Sequence, residues 1–189
     1  MTYTIREYTP ADETSWLRCR VVSFLGTAYF DDVRASKEAS PTAALDLIAV
    51  DAAGTVAGIM DTTLDGEVAT IDTVAIHPDH QRRGLGRRLL ALTRDRARQA
   101  GASTLDAWTR DDEATLHWYR AMGFAESDHY LHVYASHRSG SGEPDRAIAE
   151  RRPGLLPMAS FSHARLADAA LLRGEFDRVH VCRRFSQSL

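Results

Sequence analysis

Hydrophobic and polar positions change period several times along this chain, and each change marks an element. From Tyr3 to Tyr8, "YTIREY", apolar and polar residues alternate as in a half-buried strand. Pro10 then opens a helix, with Asp12 and Glu13 in its first turn and Trp16, Cys19 and Arg20–Val21 along its stripe. The stretch "TAYFDDVRASKE" (27–38) predicts a second, shorter helix. "LDLIAVDA" and "GTVAGIMDTT" read as two strands joined across Ala52–Ala53–Gly54, a hairpin turn. Asp65–Gly66 turns the chain into another strand, Glu67 to Pro78. Leu85, Leu89 and Leu92 recur at i, i+4 and i+7, with Leu90, Ala97 and Ala100 beside them. A long amphipathic helix follows, stopped at Gly101.

"TLDAWT" predicts the next strand, and "DDEATLHWYRAM" a helix capped by Asp111 or Asp112 and closed by Gly123 and Phe124. "HYLHVYAS" is the sixth strand. After Ser136, "SHRSGSGEPDR" is polar loop, "LLPMASFSHARLADAALLRGEF" is apolar enough to pack and partly helical, and Arg178 to Phe185 is a last strand. Antiparallel strands followed by a β-α-β-α-β run predict an α+β fold with a mixed sheet. A single domain over 1–189 is expected, with 137–177 as an insertion before the last strand. That insertion exceeds ordinary loop lengths, so a substrate lid and a homodimer contact are the roles open to it.

Composition narrows the classes. The 189 residues are 44% hydrophobic and 26% charged, enough for a well-buried core. A net charge of −3 gives no basic field, so neither nucleic acid nor membrane is expected as partner. Cys19 and Cys182 are too few for a disulfide framework, the N-terminus has no signal-peptide pattern, and no run nears ~18 apolar residues. A cytoplasmic location is the expectation. His129 and His132 face opposite ways on a strand, and His77 and His80 flank Pro78 without further ligands, so no metal site is expected.

The chemistry concentrates at Gln81–Arg88, "QRRGLGRR", between a strand and the long helix. Helix N-termini present unpaired N–H groups and partial positive charge. Gly84 and Gly86 carry no Cβ, so backbone amides can approach a phosphate, and Arg82, Arg83, Arg87 and Arg88 add cationic charge. The segment reads as a pyrophosphate site. A P-loop would need GxxxxGK[ST], and this turn has no lysine. A Rossmann fingerprint would need a small residue where Leu89 stands, although Asp106 lies ~20 residues on, where a ribose acid would be.

With Gln81, Gly84 and Gly86 at the fixed positions of a Q/R-x-x-G-x-G/A turn, the chain resembles the GNAT superfamily of N-acetyltransferases. "TVAIHPDHQRRGLGRRLL" looks like that family's central strand, phosphate turn and helix. "DDEATLHWYRAMGF" looks like its later N-x-x-A-x-x-x-Y-x-x-x-G-F segment, with Asp112 at the Asn position and Tyr119, Gly123 and Phe124 in place. The resemblance implies the acyl-CoA N-acyltransferase fold, an α/β/α sandwich whose mostly antiparallel central sheet splays at the cofactor site. It implies acetyl-CoA as co-substrate. Backbone groups of Val74, Ala75 and Ile76 would pair with the pantetheine arm, and the turn Gln81, Arg82, Arg83, Gly84, Leu85, Gly86 and Arg87 would hold the pyrophosphate. Asp112 would hydrogen-bond near the pantetheine, offering acceptors only.

Acyl transfer from a thioester to an amine needs a neutral amine, donors for the oxyanion, and a proton for the departing thiolate. The resemblance makes Tyr119 the proton donor, against a reading as a packed aromatic. The N–H of Val74 or Ala75 would serve the oxyanion. Asp72 is the expected base, because it shares strand parity with Val74 and lies nearer the thioester than Glu67. Trp16, Phe24, Tyr29 and Phe30 could wall the acceptor pocket and Asp31 and Asp32 receive a cationic amine, against the alternative of core aromatics and a helix-capping acid pair. The expected function is direct acetyl transfer to a small-molecule or peptide primary amine. A catalytically silent acyl-CoA-binding module is the alternative.

Overall fold

The computed structural model describes residues 2–40 and 42–189, which divide into two compact units. The first is Met1–Trp108, Asp112–Ala125 and Phe185–Leu189; the second is Thr109–Asp111 and Glu126–Arg184.

In the first unit, strands β1 (Thr4–Glu7), β2 (Ala44–Val50), β3 (Val56–Asp65) and β4 (Val68–Ile76) pair antiparallel in sequence order, and β5 (Thr104–Arg110) joins β4 in parallel. The mixed α+β arrangement read from the sequence is therefore present. Turn chemistry fixes the hairpins. Asp51 Oδ1 accepts the N–H groups of Ala53 and Thr55, both at 2.9 Å, and Gly54 takes φ 82°.

Helices cover both faces. Helix α1 (Glu13–Phe24) buries Trp16 and Cys19 against Ile48, Val50, Ile59 and Ala75. Helix α2 (Leu85–Gln99) buries Leu85, Leu89, Leu90 and Ala97 against Leu47, Met60, Ala69 and Ile71, and α3 (Glu113–Ala121) adds Tyr119 to that same layer. Strand alternation delivers this sorting: Ile48 and Ile59 face α1 while Leu47 and Met60 face α2. Where α2 crosses β3 a Cβ at Gly58 would lie 2.7 Å from Ile76 Cδ1 and 3.3 Å from Leu89 Cδ1, so both side-chain ends would have to shift.

The helix expected over 27–38 does not form. The N–H groups of Phe30 and Asp32 bond only three residues back, to Thr27 and Tyr29, and the chain then extends. Distant side chains dictate this path. The buried Arg20 guanidinium takes both the Asp32 carbonyl (2.5 Å) and its carboxylate (2.7 Å), and Glu13 Oε1 accepts the Lys37 N–H at 2.9 Å. Such anchors outweigh the weak local helix preference.

In the second unit, β6 (Ala125–Ser136) lies between β8 (Arg178–Ser188) and β7 (Ala159–Ala164), and β6 begins four residues before the expected sixth strand. The segment 137–177 carries α4 (Glu143–Arg146), β7 and α5 (Ala169–Glu175). Strand β7 replaces helix expected there, and its pattern is inverted: Ser160, Ser162 and Ala164 are the more buried positions, while Phe161 and His163 are exposed. Glu143 ties the segment's two ends together, accepting the N–H groups of Ser136 (2.7 Å) and Asp177 (2.8 Å). Among the described residues no helix is long and apolar enough to cross a membrane.

Two leucine truncations check this packing. Leu90→Ala removes fully buried methyls and should lower the unfolding free energy by ~2–5 kcal/mol. Leu171→Ala, at a residue 64% exposed, should stay within ~0.5 kcal/mol. Urea denaturation reads both.

Candidate active site

One extra residue in β4 shapes the site. Asp61 pairs with Thr73 and Thr62 with Ile71, leaving Asp72 as a bulge. Before it, Ala69 and Ile71 belong to the α2 layer; after it, Val74 and Ile76 do, while Ala75 joins α1. The parity that placed Asp72 on the face of Val74 is thereby broken. Asp72 lies on the opposite, α1 face, exposed, with Thr63 Oγ1 at 3.5 Å from its carboxylate. Desolvation raises its pKa above the ordinary carboxylate value.

The bulge also marks where β4 and β5 part. Their register runs from Val68↔Thr104 to Ile71↔Ala107 and no further, so Thr73–Ile76 present an unladdered strand edge. A cavity of about 600 Å³ opens there, lined by Val74, Ala75 and Ile76 on one side. Gln81, Arg82, Gly84, Leu85, Gly86 and Arg87 form its second wall, and α3 supplies a third through Trp118 and Ala121, with Met122 just past its end.

The second wall is built by the turn after Ile76. Pro78–His80 is a short 3₁₀ turn, Gln81 Nε2 donates to the Ile76 carbonyl at 3.2 Å, and Arg82 and Gly84 take φ 58° and 74°. The first bond of α2 runs from Arg88 N–H to the Gly84 carbonyl at 3.1 Å. The amides of Leu85, Gly86 and Arg87 therefore precede the helical ladder, with no carbonyl behind them in α2. Gly86 faces the Trp118 indole, where a Cβ would make ordinary contact at 3.4 Å and a larger side chain would crowd it. Arg82 and Arg87 line the cavity; Arg83 Nη2 donates to the Asp79 carbonyl at 3.3 Å, and Arg88 Nη2 to that of Tyr3 at 3.1 Å.

The α3 wall was not read from the sequence. Its signal was available in Ala114, Trp118 and Ala121, one helical stripe that reaches the cavity. Asp112 caps α3, its Oδ1 accepting Thr115 N–H (2.9 Å) and Oγ1–H (2.7 Å). Tyr119 follows Trp118 into the core, stacked on Phe185 at 5.3 Å between centroids and edge-on to Phe124 at 5.3 Å. It does not line the cavity. Burial, assisted by the nearby Tyr29, pushes its phenol well above the ordinary value, so it stays protonated at neutral pH.

The acceptor wall expected from the first helix and its loop is only partly assembled. Phe24 packs on Tyr29 at 5.5 Å, Trp16 is fully buried, Phe30 is exposed, and Asp32 is engaged by Arg20. A group the sequence did not reveal lies beneath α1. Asp61, only 7% exposed, receives Trp16 Nε1 at 3.4 Å, and Lys37 Nζ stands 3.5 Å from it and 2.8 Å from Asp46. Among the described residues no group of metal-binding side chains is assembled.

The profile of the Acetyltransferase (GNAT) family matches residues 4–124. An "L-amino acid N-acyltransferase MnaT" of Escherichia coli is 39% identical over 64 residues, 33% of this chain and 37% of that protein. The chain thus matches little more than a third of that relative's length. The ribosomal-protein-S18-alanine N-acetyltransferase of Escherichia coli superposes with a TM-score of 0.62 at 17% identity, covering 99% of this chain and 94% of its own. The PaiA N-acetyltransferase of Thermoplasma acidophilum in complex with coenzyme A gives 0.57 at 14%, covering 68% and 92%. At these identities the superpositions show the fold, an acyl-CoA N-acyltransferase fold.

Neither cysteine is poised as a nucleophile. Burial pushes the Cys19 thiol up to about 11 and also raises that of Cys182. A thiol-reactive disulfide reagent at pH 8 should therefore label neither in the native protein and both in denaturant.

Proposed function

Because the chain belongs to the GNAT acetyltransferase family, we propose that it moves an acetyl group from acetyl-CoA to a primary amine, directly, within a ternary complex. The observation that carries this reading is a single cavity of about 600 Å³ that joins a free strand edge to a glycine-capped helix start. The edge offers backbone groups to an extended amide-bearing arm, as an added strand would use them. The amides of Leu85, Gly86 and Arg87, with the charges of Arg82 and Arg87, suit a diphosphate. No Cβ intrudes at Gly84 or Gly86, so the residues present fit coenzyme A.

In this reading Val74, Ala75 and Ile76 align the pantetheine arm, and the turn from Gln81 to Arg87, Arg83 included, anchors the diphosphate. The N–H of Val74 or Ala75 serves the oxyanion. Asp112 already spends Oδ1 on its helix cap, so only its second oxygen is available to the arm. Tyr119, kept neutral by burial and next in sequence to the cavity-lining Trp118, is the proposed proton donor to the departing thiolate, although its ring is packed against Phe185 and Phe124 rather than on the cavity wall. Asp72, on the exposed bulge, places negative charge where a cationic amine arrives. The similarity to an L-amino acid N-acyltransferase makes the α-amino group of a free amino acid the first acceptor to test.

With acetyl-CoA and a panel of L-amino acids and simple primary amines, thiol release reads turnover. Tyr119→Phe should lower kcat by ~100-fold while the Kd for acetyl-CoA stays within about twofold. Gly86→Val should weaken acetyl-CoA binding at least ~10-fold by crowding the Trp118 wall, whereas Arg88→Ala, whose guanidinium is turned to Tyr3, should not. Binding without turnover by the parent would instead mark a silent acyl-CoA-binding module.

A further inference from the structure

The transferase reading leaves the proton of the acceptor ammonium to be placed, and the bulge removes the parity argument for Asp72. We infer that Asp61 is the carboxylate that takes up this proton, with Lys37 and Trp16 as its positioning residues. The inference rests on the transferase reading.

Position comes first. Asp61 is the register partner of Thr73, the residue between the bulge and Val74, so it sits on the strand beside the point where the thioester would lie. Strand alternation aims it at the α1 face, the face of Asp72. Construction comes second. Trp16 Nε1 and Lys37 Nζ both engage Oδ1, at 3.4 and 3.5 Å. Among the described residues no hydrogen bond is directed to Oδ2, the oxygen proposed to receive the proton. Lys37, the chain's only lysine, is itself held by Asp46 and lies 5.2 and 5.3 Å from the ring centres of Tyr8 and Trp16.

The charged and titrating groups around Asp61 are Lys37 from the loop after α1, Asp46 from β2, Arg20 and the Cys19 thiol from α1, and Asp72 at the bulge of β4. Burial dominates and pushes the Asp61 carboxyl up to about 6, against the pull of Lys37. It is thus ionised at neutral pH yet far more basic than a surface aspartate.

The step balances. The acceptor R–NH₃⁺ gives one proton to Asp61 and becomes R–NH₂, whose lone pair forms the N–C bond to the acetyl carbonyl. The C–S bond breaks as the thiolate takes the Tyr119 proton, and the second amine proton restores the phenol. Asp61 then releases its proton to water.

The test is the pH profile of kcat/KM with acetyl-CoA and the best amine of the panel. The parent should show an acid limb near pH 6. Asp61→Asn should abolish that limb and lower kcat at least ~30-fold, with acetyl-CoA affinity unchanged within about twofold. Lys37→Met, which removes the neighbouring cation, should move the limb upward by ~0.5 pH unit or more, and it reports even if Asp61→Asn fails to fold. Asp72→Asn should keep the limb. An acid limb that survives in Asp61→Asn, or stays in place in Lys37→Met, overturns the inference while leaving the transferase reading intact. Absence of turnover by the parent removes both.

Discussion

The first unit depends on one constraint: β4 carries a residue more than its partner, and the strand cannot keep both its faces and its neighbours past that point. The bulge at Asp72 switches which residues meet α2, from Ala69 and Ile71 to Val74 and Ile76. The ladder to β5 stops at Ile71↔Ala107, on the brink of the bulge. A backbone edge left without a partner inside a fold is costly unless something hydrogen-bonds it. The cavity beside it, closed by the N-terminus of α2, is where the proposed ligand arm would use that edge.

Electrostatics divides along the same line. On the α2 side, orphan amides and arginines make an anion site at the helix start. On the α1 side, Asp46, Asp61 and Asp72 gather acidic charge, balanced in part by Lys37. In the proposed reaction a diphosphate would belong to the first and an ammonium to the second, with strand β4 between them.

Elements with strong local signals were legible in the sequence. The hairpin at Gly54, the amphipathic run of Leu85, Leu89 and Leu90, and the glycine turn at 84–86 each announce themselves through turn chemistry or period. What escaped depends on distant partners. Residues 27–38 look helical until Arg20 and Glu13 claim Asp32 and Lys37. Strand β7 hides because its small residues face inward and Phe161 outward. The bulge has no glycine to flag it, so Asp72 kept a parity it does not possess. Asp61 looked like one more strand position, because nothing local reveals that Trp16 and Lys37 converge on it.

The central claim is that amides at the start of α2 grip a diphosphate, and calorimetry comparing acetyl-CoA with S-acetylpantetheine tests it directly. The two share the thioester and the arm, but only the first carries the diphosphate. The account predicts at least ~100-fold tighter binding of acetyl-CoA, falling as salt is raised. Equal affinities, insensitive to salt, would contradict it.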